Sequence, residues 1–202
     1  MATDTTPANN ETVRYATATI SNDQIVVTAT VPATFSFSLS AFTAALGSLP
    51  TSGAPNTATA ITATVSTNAQ NGWLAWAKNT NANSALTSAA TGDGICFGGN
   101  YPTCTGAAYQ TTSANVHSFS GAAGYGLSVT AGSGTPTVAP EYAGSATTFG
   151  SLDNVKFEQL ASKNAPASSN TFTLTFGAEA SPTNKAATDY TDTVTVSAAG
   201  QF

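Results

Sequence analysis

The sequence predicts an all-β fold: an antiparallel β-sandwich of jelly-roll or Greek-key type with about ten strands. Three observations carry that reading. Apolar residues alternate with hydroxyl residues in short blocks, turn residues separate the blocks at fairly even intervals, and helical periodicity is nearly absent. No helix long enough for a crossover stands between blocks, so the strands are expected to pair antiparallel. Two packed sheets would then bury one face of each strand. No repeat of fixed period suggests a solenoid. Residues 1–11 read as a flexible polar arm, and residues 12–202 as a single β-sandwich domain.

The elements follow in order. Residues 12–20 (TVRYATATI), 24–31 (QIVVTATV) and 33–40 (ATFSFSLS) are the first three predicted strands. In the third, Phe35, Phe37 and Leu39 share one face and Ser36, Ser38 and Ser40 the other, because successive side chains point to opposite sides of a strand. Residues 41–46 (AFTAAL) form the best helical candidate, stopped at once by Gly47. Residues 57–67 (TATAITATVST) and 72–78 (GWLAWAK) come next, with Asn71 and Gly72 as a strong turn signal between them. The middle third is looser, with NVHSFS, YGLSVTA and NVKFEQLA as strands among glycine-rich connections. Residues 170–179 (NTFTLTFGAE) and 189–200 (DYTDTVTVSAAG) close the series. The inward positions predict a core containing Phe35, Phe37, Leu39, Val65, Phe172, Leu174, Phe176, Val194 and Val196.

Composition narrows the function. The 202 residues carry only 5 basic and 10 acidic side chains, a net charge of −5. Ala, Thr, Ser, Gly and Asn make up about 63% of the chain, so hydroxyls and amides, not charges, keep its surface wetted. Five cations cannot build the phosphate-neutralising stripe that nucleic acid requires, nor a basic cluster for anionic lipid. No apolar run is long enough to insert into a membrane as a helix.

Cys96 and Cys104 lie in CFGGNYPTC, where two glycines and a proline let the chain turn back. An even count at short spacing predicts a disulfide, and with it an oxidising compartment: secretion or display at the cell surface. Closing that loop is worth roughly 2.6 kcal/mol in the chain-entropy account. Residues 1–12 show no basic n-region or apolar h-region, so Met1 is expected to stand where a leader was removed.

Candidate chemistry is thin. His117 is the one imidazole, and no G-x-S-x-G elbow offers it a nucleophile. Asp189 with Asp192, and Asp153 with Glu158, are the possible carboxylate pairs, but an odd spacing sends the first pair to opposite faces of a regular strand. Asp93, Asp153 and Asn154 lack the spacing of a calcium loop. Thr-x-Thr arrays fit solvated strand faces. The expectation is no enzyme, no cofactor and no metal. Trp73 and Trp76, three apart, should place one indole inward and one outward. With Tyr101 and Tyr109 near the cysteine loop, they form a possible binding surface.

The stretch ATDYTDTVTVSAAGQF resembles the terminal strand of pilin-type β-sandwiches of the spore coat U and archaic chaperone–usher group, which end in a similar G-x-Y-x-D-T-V-T-V pattern. VTATVPATFSFS is similar to that group's opening strand, and ITATVSTNAQNGWLAWAKN resembles a hairpin of Thr/Ser-rich exported bacterial surface proteins. The opening strand lacks the cysteine usual in the spore coat U group. The resemblance implies assembly roles for an N-terminal extension and for Tyr190, Val194 and Val196 of the terminal strand.

The expected function is a secreted or cell-surface structural protein, a pilin-like or filament subunit that self-associates by strand addition. Val13, Tyr15, Thr17 and Ile20 mark the expected assembly strand, with Val13, Tyr15 and Thr17 on one face after the polar arm. The alternative is an adhesin or carbohydrate-binding module that meets glycans or a host surface through the Trp73/Trp76 hairpin and the Cys96–Cys104 loop.

Overall fold

A computed structural model describes residues 24–96, 99–101, 104, 117–118, 123–145 and 147–202. The chain divides at residue 32. Residues 24–32 carry no regular secondary structure and are exposed. Every strand among the described residues falls in the unit from Ala33 to Phe202, where β-strand is the dominant regular structure.

In chain order the strands are β1 (Phe35–Leu39), β2 (Asn56–Thr57), β3 (Ile61–Thr67), β4 (Trp73–Asn79), β5 (Leu86–Ser88), β6 (Asp93–Cys96) and β7 (Gly99–Asn100). Then come β8 (His117–Ser118), β9 (Gly124–Ala131), β10 (Thr137–Val138), β11 (Thr148–Phe149), β12 (Glu158–Lys163), β13 (Ala167–Glu179) and β14 (Val194–Gly200). All pairings among the described residues are antiparallel. In one main sheet β1 pairs β3, β3 and β2 pair successive stretches of β13, and β9 pairs the other side of β13. The second main sheet runs β10-β12-β4-β14. A three-stranded patch, β5-β6-β7, and the short pair β11-β8 complete the fold.

The alternation explains how the sheets meet. Ile61, Ala63, Val65 and Thr67 of β3 are buried, while the residues between them are half-buried. Trp73, Ala75, Ala77 and Asn79 of β4 follow the same pattern. Trp73 stacks on Phe172 with ring centroids 5.7 Å apart, joining β4 of one sheet to β13 of the other. Leu127, Val129, Leu160, Leu174 and Phe176 are among the other buried side chains of the interior. The fold is the expected all-β sandwich.

Several local expectations change. Residues 24–31 form no strand, and residues 41–46 form no helix. The latter is one turn of helix former, too short to cover the cost of nucleation without packing. The block 57–67 is two strands, β2 and β3, both laid along β13. The turn at Asn71 and Gly72 is present, but it is not a hairpin: it carries the chain from β3 in one sheet to β4 in the other. Gly72 adopts φ +79°, and a Cβ there would lie 1.7 Å from the Lys163 carbonyl oxygen, so only glycine fits this arch. The segment 12–20 lies outside the described residues.

The core expectation divides cleanly. Val65, Phe172, Leu174 and Phe176 are buried. Phe37, Leu39, Val194 and Val196 are only partly covered, and Phe35 is 37% exposed. All five exceptions belong to β1 or β14, each of which has one strand neighbour among the described residues. Val194 and Val196 do point inward, with Thr193 and Thr195 outward, but less lies over them than a closed sandwich would supply.

That difference sets a stability test. Leu174→Ala should cost about 2–5 kcal/mol, as truncations inside a filled core do. Leu39→Ala, made at the open edge, should cost less than about 2 kcal/mol. Urea unfolding of both variants measures the gap.

Candidate functional site

The edges β1 and β14 frame an opening in the sandwich. A cavity of about 800 Å³ lies between them, lined by Leu39 of β1, by Val194 and Val196 of β14, and by Ile61, Leu174 and Phe176 from the sheet behind. The opening is a wedge. At one end the edges meet, since a Cβ on Gly200 would fall 3.2 Å from the Phe35 ring and 3.0 Å from that of Phe202. Toward Leu39 and Val194 the cavity parts them. Residues 41–49 run along its mouth, held where Asn56 Nδ2 donates to the carbonyls of Leu46 (3.1 Å) and Ser48 (2.6 Å). Phe42, on that loop, is 89% exposed. The site thus combines apolar walls, two strand edges with one neighbour each among the described residues, and an exposed ring.

The far wall of the cavity includes residues 184–188 and 190–192, part of an irregular segment pinned by carboxylates. Asp93 of β6 accepts hydrogen bonds from the Lys185 amide (2.7 Å), the Tyr190 hydroxyl (3.1 Å) and Asn184 Nδ2 (3.3 Å). Asp189 accepts from the Ser88 hydroxyl and the Ala90 amide. Asp192 accepts from Asn79 Nδ2, the Asn81 amide and its neighbour the Thr193 amide. Asn81 Nδ2 donates to the Thr191 carbonyl at 2.6 Å, and Thr87 and Thr191 exchange backbone hydrogen bonds. Each carboxylate is thus engaged with a different element.

These contacts shift the acids in opposite directions. Burial alone would raise the Asp93 carboxyl, but the Lys185 and Gly94 amides, Asn184 and Tyr190 outweigh it and hold it below its ordinary value. The Ser88 hydroxyl, with the Ala90 amide, lowers Asp189. Asp192 goes the other way, because burial raises it by more than Asn79 and the Asn81 amide lower it. The Tyr190 hydroxyl is pushed up to about 12 by burial and by donating to Asp93. Burial carries Tyr125 well above the usual tyrosine value, with the Asp192 charge adding to it.

The residues singled out from sequence scatter. Cys96 and Cys104 are joined by a disulfide, with Cα atoms 5.7 Å apart. Trp73 is fully buried against Phe172 and offers no ring to a ligand. Trp76 is on the outward face of β4, half-buried, with Gln159 and Ser197 as its strand partners. The Tyr101 ring packs on Gly94, where an added Cβ would lie 2.5 Å from it. Val13, Tyr15, Thr17, Ile20 and Tyr109 lie outside the described residues. Asp153 caps the turn after it, accepting from the amides of Val155 and Lys156, and Lys156 pairs with Glu158 at 2.7 Å. Among the described residues no three His, Cys, Asp or Glu side chains gather where they could hold a metal ion, and no helix is long and apolar enough to cross a membrane.

Sequence reading missed the loop 41–49 as a cavity wall. A usable signal was there: Phe42, Leu46 and Leu49 are apolar residues in a segment too short to fold as a helix. Compared with known proteins, the chain matches no family model and no curated protein. The functional reading therefore rests on geometry.

Two outcomes test this description. In native protein both thiols should resist alkylation until a reductant is added, and reduction should lower stability by about 2–3 kcal/mol; intact mass and urea unfolding read the two effects. The second concerns pH. Asp93 sits below its ordinary value of 3.8 in the folded chain. Its contribution should be fully present above that value and fade as pH falls through the lower, folded one. The stability difference between wild type and Asp93→Asn should be flat from pH 7 to 5 and shrink below about pH 4.

Proposed function

We propose that this chain is a secreted or cell-surface structural subunit that self-associates by adding a neighbour's extended segment to the open side of its sandwich. The observation that carries the reading is the wedge between β1 and β14, which have one strand neighbour each among the described residues and whose inward apolar residues are half-covered. Natural sandwiches protect such edges with charge, proline or bulges. Here β1 and β14 are Phe-Ser-Phe-Ser-Leu and Val-Thr-Val-Ser-Ala-Ala-Gly, with no charge and no proline. A strand laid against either edge would gain backbone hydrogen bonds worth net about 1 kcal/mol each and would cover the oily walls. The disulfide fits an oxidising compartment, and the low charge removes the repulsion that keeps like surfaces apart. The reading assigns no catalytic role. The glycan-binding alternative is less supported, because Trp73 is buried and the Tyr101 ring is packed on Gly94.

Sedimentation and negative-stain microscopy across a concentration series should show assemblies larger than the monomer. Amides of β1 or β14 should gain hydrogen-exchange protection as they form. Phe42→Asp alters a side chain already in solvent, so it should leave the monomer folded and weaken assembly at least about tenfold. A chain that is monomeric at every concentration, or assemblies that leave both edges unprotected, would overturn the proposal.

A further inference from the structure

Strand β4 reads Trp-Leu-Ala-Trp-Ala-Lys-Asn and lies between β12 and β14 in its sheet. Its buried residues alternate with Leu74, Trp76 and Lys78, which therefore line the outward face. Register supplies their neighbours. Gln159 of β12 and Ser197 of β14 stand opposite Trp76, one on each side, and Thr195 of β14 stands opposite Lys78. Adjacent strands are about 4.8 Å apart, and Lys78 is about 6.8 Å along the strand from Trp76, so these side chains ring the indole within reach of one another.

Two features set this face apart. The first is the pairing of a flat aromatic ring with free polar groups. A lone apolar side chain on a surface means little, but Trp76 is bordered on both sides by an amide and hydroxyls. Among the described residues the side chains of Gln159, Thr195 and Ser197 make no hydrogen bond, and Thr195 and Ser197 are exposed. The second is charge. In a chain of net charge −5, the charged group beside Trp76 is the Lys78 ammonium, and the ion pair found among the described residues does not involve it. Glu158, the one acid of β4, β12 and β14, stands opposite Ala77 on the other side of the sheet and pairs with Lys156.

We infer that this face binds an acidic saccharide, a sugar chain carrying uronate groups. The C–H face of a sugar ring stacks on the Trp76 indole, which is amphipathic in the same sense. Ring hydroxyls exchange hydrogen bonds with Gln159, Thr195 and Ser197, whose groups both donate and accept. The carboxylate meets Lys78, whose flexible stem spans the distance from the indole and whose charge no acid of the face neutralises. A protein partner would call for a wider apolar centre than one indole beside Leu74, and a polyphosphate for more than one cation. Strand parity puts these groups on the opposite side of β14 from Val194 and Val196, which line the wedge. The inference therefore stands apart from the strand-addition reading, and it uses neither Trp73 nor Tyr101.

The test uses the full chain and two probes of one backbone: cellotetraose, and the same tetrasaccharide oxidised to a uronate at each primary carbon. The two indole N–H resonances report separately, Trp73 from the core and Trp76 from the face. The uronate should shift the Trp76 resonance, leave that of Trp73 in place, and bind at least about tenfold more tightly than cellotetraose. Lys78→Gln should abolish that preference and keep the far-UV spectrum. Trp76→Ala should weaken binding of both probes at least about tenfold. Phe42→Asp, at the wedge, should leave sugar binding unchanged, so failure of this inference and failure of strand addition are read separately. Equal binding of the two probes, or a preference that survives Lys78→Gln, overturns the acidic class. A Trp76 resonance that neither probe moves at millimolar concentration overturns the site, as does binding that Trp76→Ala leaves intact. If Trp76 is shielded from acrylamide only as the chain assembles, and no probe moves it, the face is a contact between copies and the saccharide assignment fails. Should Trp76→Ala unfold, the wild-type resonances and Lys78→Gln decide the matter.

Discussion

The fold depends on one contact zone, the inner faces of β3, β4 and β13 pressed together across the sandwich. A chain in which about 63% of residues are Ala, Thr, Ser, Gly or Asn has few large side chains with which to build an interior. It concentrates them. Trp73 stacked on Phe172 ties the two sheets, and alanines at 63, 75 and 77 let the backbones approach closely around that pair. Close packing penalises any void, so large residues at the centre and small ones beside them form a single arrangement and not a set of interchangeable choices. Register follows from it, because a one-residue slip of β3 or β4 would turn every buried residue outward.

Away from that zone, hydroxyls and amides take the place of charges. One ion pair, Lys156 with Glu158, occurs among the described residues. The long connections are held by side-chain to backbone hydrogen bonds instead: Asn81 to the carbonyls of Ala85 and Thr191, Asn56 to those of Leu46 and Ser48, and Asp93 to the Lys185 amide. Such bonds are individually modest, yet each satisfies a backbone group that an irregular loop would otherwise leave unpaired. They fix the rims of the wedge between β1 and β14, so the opening is framed by ordered chain.

The rim of the sandwich is where burial runs short. Among the described residues β1 and β14 have one strand neighbour each, and their inward side chains are half-covered. Edges of that kind, without charge or proline, are a liability in water.

The sequence by itself determined the fold class, the disulfide and the inward face of most strands. Those properties are local: alternation in FSFSL or TVTVS reads directly as a two-faced strand, and Cys96 and Cys104 lie within reach through a glycine-rich loop. Trp73 inward with Trp76 outward follows from the same parity. Only the tertiary structure decided which strands share a sheet. Asn71 and Gly72 read as a hairpin turn, and the arch between sheets that they form instead is set by the Lys163 carbonyl over Gly72 and by Trp73 against Phe172, contacts from far along the chain. Tertiary structure also decided that Leu39, Val194 and Val196 are half-covered while Leu174 is buried. Alternation fixes the direction a side chain points, but its burial depends on what stands opposite, which is set by residues distant in the chain.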